Sequence, residues 1–165
     1  MSELRTLLPE ALHQLLGILT HGPQDGEFFI LDDPNAGLIP TLQAIDAEHA
    51  SRPPFPGGHT LAGHVQHLTF TFGVFNRWAQ GEENPFATAD WASSWGSQAV
   101  DPAQWQSVVQ DFEREAAAWR QAVREPRDLD DVTLPGAITS VAHLAYHLGA
   151  IRQIVARDVT PPPTS

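Results

Sequence analysis

Apolar residues recur at three- and four-residue spacing in four separate stretches of the chain. Leu4, Leu7, Leu8, Leu12, Leu15, Leu16 and Leu19 make one such face, ended by His21-Gly22-Pro23, and this period predicts an amphipathic helix. Pro9 suits only a first turn, so regular helix is expected from about that residue. Leu61, Val65, Leu68, Phe72 and Phe75 make the second face. Thr60 is a good N-cap for it and Gly81 a plausible stop. Asp101-Pro-Ala-Gln104 is a helix start with Asp as cap, Pro first and Gln third. Trp105, Val108, Val109, Phe112, Ala116, Trp119 and Val123 follow on its inner side to about Arg124. The last helix is expected from about Thr139 to Arg157, with Leu144, Leu148, Ile151 and Val155 inward.

The connections are long. Phe28-Phe29-Ile30-Leu31 could form a brief extended segment, too little for a sheet. Leu38, Ile39, Leu42 and Ile45 suggest a short helix entered through Asp33-Pro34-Asn35, and Arg52 to Gly58 is a stiff Pro/Gly linker. Glu82 to Val100, with Trp91 and Trp95, is expected to be a lid or packed cover, and Glu125 to Gly136 a turn-rich acidic connection. The expected fold class is all-α: a four-helix bundle with an additional short helix and long connecting loops. Residues 1–158 are expected to form a single domain and 159–165 a disordered Pro-rich tail.

A chain of 165 residues can bury roughly 70% of its unfolded surface in one core. The net charge of -11 argues against nucleic acid or an anionic membrane as partner. No stretch resembles a membrane span or a secretory leader, so the expected location is cytoplasmic. There is no cysteine, and all nine cationic residues are arginine. Disulfides, thiolate ligands and lysine Schiff-base chemistry are thereby excluded, and any metal must be held by imidazole, carboxylate or water.

The chemistry then rests on histidines. His143 and His147 stand four apart in the last helix, on one face about a turn apart. His147 lies inside the inward arc and His143 just beyond its margin. Two buried imidazoles need partners, and a metal ion supplies one for both. Leu144-Ala145-Tyr146 between them removes the metalloprotease reading that an internal Glu would carry. Spacing leaves the third ligand open: His64 and His67 in the second helix are candidates, as are Glu113 or Glu115, which would make a two-His-one-carboxylate site. His13, His21 and His49 are expected at the surface or as caps.

Thr60-Leu-Ala-Gly-His-Val-Gln-His67-Leu68, paired with His143-Leu-Ala-Tyr-His147-Leu-Gly-Ala-Ile-Arg-Gln-Ile154, resembles the DinB/YfiT-like family of metalloproteins (the DinB superfamily). Residues 37–51 and the Trp-rich loop share the resemblance, which covers most of the chain. It implies His67, His143 and His147 as metal ligands. His64 then becomes a neighbour of the metal site and the candidate general base. Many members follow the last ligand with x-Gly-Gln where this chain has Leu148-Gly149-Ala150; Arg152 and Gln153 are the nearby polar residues. The implied activity is that of a metal-dependent hydrolase or a low-molecular-weight-thiol-dependent S-transferase acting on a small-molecule substrate. Zinc is the first expectation, then nickel, manganese or iron, since imidazole accepts all of them. Related bundles often form homodimers. The alternative is a non-catalytic metal- or ligand-binding bundle in a stress response.

Overall fold

The computed structural model describes residues 2–24, 30–125 and 132–159. Its elements are α1 (Ser2–His21), a 3-10 turn (Pro34–Ala36), α2 (Leu38–Gln43), α3 (Ala47–Ala50), α4 (Leu61–Ala79), α5 (Pro85–Thr88), a second 3-10 turn (Ser93–Trp95), α6 (Pro102–Ala122) and α7 (Thr133–Val159). Among the described residues there is no strand, so the all-α expectation holds. Residues 25–29, 126–131 and 160–165 lie outside the described residues; half of the expected extended segment, half of the expected acidic connection and most of the expected tail fall there.

The four long helices form the bundle. α4 packs against α6 and α7, and α1 packs against the same two from the other side. Paired residues give the directions. His64 meets His147, His67 meets His143, and Trp78 approaches Gly136, so α4 and α7 are antiparallel. Phe72 meets Phe112 and Phe75 meets Trp119, so α4 and α6 run parallel. Glu10 pairs with Arg124, and His13 with Arg120, which sets α1 antiparallel to α6. Parallel neighbours cannot be joined by a tight turn. The chain must return from the end of α4 to its beginning before α6 can start, and residues 80–101 are that return.

The middle of the bundle is filled by Leu16, Leu19, Leu61, Leu68, Phe72, Phe112, Trp119, Leu144 and Ile151, all fully buried. Trp119 Nε1 donates to Ser140 Oγ at 2.8 Å, so the indole satisfies its only donor while filling the centre. Thr60 caps α4 through the Gly63 N–H, and Asp101 with Gln104 completes the anticipated capping box on α6.

Four expectations are corrected. α1 starts at Ser2 with Pro9 inside it: packing of Leu8 and Leu12 against the core outweighs the lost backbone bond. Leu7, counted on the apolar face, is exposed. α7 begins at Thr133, about a turn and a half before the expected start. Pro135 and Gly136 fall in its first turn, where proline removes no intrahelical bond. His13 is buried, and its Nδ1–H donates to the Arg120 carbonyl at 2.8 Å. A Leu-rich face drew the eye away from a histidine that ties α1 to α6.

Candidate metal centre

The antiparallel register of α4 and α7 brings His67 against His143 and His147. Ring centroids lie 5.2 Å apart for His67–His143, 5.0 Å for His67–His147 and 4.5 Å for His143–His147. One ligand nitrogen from each lies within 4.8 Å of the other two. This three-histidine cluster is able to coordinate a divalent ion. His64 stays outside it and touches His147 instead, Nδ1 to Nδ1 at 2.9 Å. Glu115 accepts from Asn76, and Glu113 lines a separate groove between α2 and α6. The carboxylate alternative therefore fails. Arg152 and Gln153 are exposed.

The 80–101 return does more than connect. It lies along the first turns of α4 and is clamped there. Gln66 donates to the Ser97 carbonyl at 2.7 Å and accepts the Ser97 N–H at 3.0 Å. The Thr60 N–H donates to Gln98 Oε1 and the Thr60 hydroxyl to the Gln98 carbonyl, both at 2.9 Å. Gly96 makes the clamp possible. Its φ of 53° and ψ of -149° suit glycine, and a Cβ there would sit 2.1 Å from Gln66 Oε1.

This segment sets Ser94 and Trp95 on the histidines. Trp95 is sandwiched between His59 and His67, with centroids 3.7 and 4.3 Å away and both ring pairs tilted by 9°. The Ser94 hydroxyl donates to the Trp91 carbonyl at 2.6 Å and lies 2.7 Å from His67 Nδ1. Its one proton is spent on the carbonyl, so it accepts from His67 Nδ1–H. That leaves the His67 Nε2 lone pair uncommitted. Sequence patterning pointed to a tryptophan-rich cover but not to Ser94; the only signal was its place in Trp91-Ala-Ser-Ser-Trp95.

Electrostatics keep the histidines neutral, the form that binds metal. Burial pushes the His147 imidazole down to about 3, with His143, His64 and His67 adding to it. His67 falls to about 4 through burial and then its neighbours His143, His64 and His59. His64 falls to about 4 through burial and His59, and burial also lowers His143. His143 Nε2 is buried with no hydrogen-bond partner among the described residues. Such an orphan is costly unless something binds it.

The model of the DinB superfamily matches residues 35–151, from the 3-10 turn before α2 through both histidine-bearing helices. The chain belongs to the DinB superfamily. The match takes in all three clustered histidines and the return that covers them, while α1 lies outside it. No curated protein and no solved structure matches the chain. Membership of the DinB superfamily and the cluster thus stand on separate grounds: one on sequence, the other on the convergence of nitrogens from two helices.

Proposed function

We propose that this DinB-superfamily protein is a metal-dependent enzyme, a hydrolase or a transferase using a low-molecular-weight thiol, with its metal on His67, His143 and His147. The observation that carries the reading is the orphaned His143 Nε2 beside two imidazoles whose Nδ1 atoms are already engaged. Nε2 is then the nitrogen each of the three has left for an ion, and one nitrogen from each lies within 4.8 Å of the others. When bound, a divalent ion on three neutral imidazoles keeps its full charge and an open position, and so acidifies a water or thiol and polarises a carbonyl. Zinc is the first choice, since tetrahedral nitrogen sites suit it.

The chain's own residues supply the rest. Ser94 holds His67 in the tautomer that frees Nε2. A ligated His147 carries its proton on Nδ1, so His64 Nδ1 becomes the acceptor and orients His147 in the same manner. His64 is a poor general base at neutral pH, because burial has lowered its basicity. We therefore assign it to positioning rather than proton removal. Trp95 covers one face of His67 and shields that side from water.

Untagged protein purified without added metal should carry close to one equivalent of a divalent ion by mass spectrometry of the elements. His143→Ala and His147→Ala should lose it. Metal retained by both variants would end the proposal. In a cobalt-substituted sample, visible bands that ignore added thiols and small anions would show that no position is open, and would remove the catalytic reading.

A further inference from the structure

The histidine cluster has an apolar neighbour. Between α4 and the first half of α7 lies a cleft of about 330 Å³, with Phe75 and Trp78 on one side, Phe86 and Trp91 from the return on another, and His143 also in its lining. Among the described residues no charged side chain lines it. Thr71 reaches it, but its hydroxyl proton is committed to the His67 carbonyl at 2.8 Å. Gly136 forms part of the α7 wall, where a Cβ would stand 3.2 Å from the Trp78 ring. Glycine weakens a helix relative to alanine. Here it lets α7 lie against the indole without a side chain projecting between them.

We infer that this cleft is the binding site for the apolar, preferentially aromatic, part of the small molecule whose polar end reaches the metal centre. The inference rests on the proposed metal site and adds a substrate class to it. His143 joins the two: the same side chain belongs to the histidine cluster and lines the cleft. The volume lies at the small end of ligand sites, enough for one ring with a short chain. Four aromatic side chains match a flat ring by offset or edge contacts. A charged tail would find no ion partner among the described lining residues and would lose its hydration.

The test uses the full chain loaded with cobalt and a pair of thiols, 2-phenylethanethiol and 2-mercaptoethanol, titrated through the cobalt–thiolate absorption. The ring should tighten binding roughly ten- to a hundredfold, the gain from burying a side chain of phenyl size. Thr139, which lines the cleft from the exposed side of α7 one turn before His143, provides a plug: Thr139→Trp should abolish most of that gain. Equal affinity for the two thiols in the wild type, or a full gain in Thr139→Trp, overturns the inference while leaving the metal reading intact. A protein that takes up no cobalt fails the metal reading instead. The cleft is then judged by tryptophan fluorescence of the metal-free chain with 2-phenylethanol. A saturable change lost in Thr139→Trp supports the cleft, and its absence in the wild type refutes it.

Discussion

Replacing Ser94 by alanine removes one oxygen from a residue that is no proposed ligand, and metal affinity should fall ten- to a hundredfold. The hydroxyl bridges the Trp91 carbonyl at 2.6 Å and His67 Nδ1 at 2.7 Å. Without it, His67 Nδ1–H is left facing a buried position with no acceptor. A buried unsatisfied donor costs about 1–3 kcal/mol. The metal-free variant can escape that cost by moving the ring proton to Nε2 or tilting the ring, and metal binding must then reverse the escape. The penalty therefore falls on binding rather than on folding, and about 1.4–2.7 kcal/mol corresponds to the stated range. Competition against a chromophoric chelator measures it, with circular dichroism confirming an intact bundle. Ser94→Thr, which keeps the hydroxyl, should recover most of the affinity. Alanine within twofold of wild type, with the fold intact, would refute the tautomer argument.

The same logic applies to His64. His64→Ala should weaken metal binding several-fold, with partial rescue by His64→Gln, whereas a pure general base would leave affinity untouched. Metal-free protein should lose stability as the pH drops from about 6.5 to about 4. In that window the unfolded imidazoles bind protons that the buried His64 and His67 refuse, so the unfolded state gains protons and is favoured. A urea midpoint equal at pH 7.5 and pH 5 would contradict this. Trp119→Phe should cost about 2–3 kcal/mol in chemical denaturation, because it shrinks a fully buried ring and strips the Ser140 hydroxyl of its donor; a loss under 0.5 kcal/mol would show that the indole N–H matters little.

What could be read from the sequence was whatever repeats with the helical period or caps a helix. Thr60 fixed the start of α4, and with it the face on which His67 stands; the His143/His147 spacing needed only a continuous α7. Spacing alone left His64 and His67 level, while in the fold His67 is the more buried of the two. The reason is the 80–101 return, which buries one flank of α4 and has no period to read. Ser94 and Trp95 were illegible as site residues for the same cause: their placement depends on Gln66, Gly96 and Gln98, contacts across some thirty residues of chain. The early start of α7 was hidden by Pro135 and Gly136, which punctuate most sequences but fit a first turn. His13 was missed because its partner is a backbone carbonyl, and backbone carries no sequence signal.

The parallel course of α4 and α6 separates what the bundle must keep from what it can change. A strap along α4 is compulsory in this topology, whatever its residues are. Its path is pinned at Gln66, Thr60 and Gln98, while Phe86, Trp91, Ser94 and Trp95 face the histidines or the cleft. The histidine-bearing helices and the strap that dresses them can therefore diverge at different rates. Exchanging a dozen strap residues would change what faces the histidine cluster without asking the core to repack.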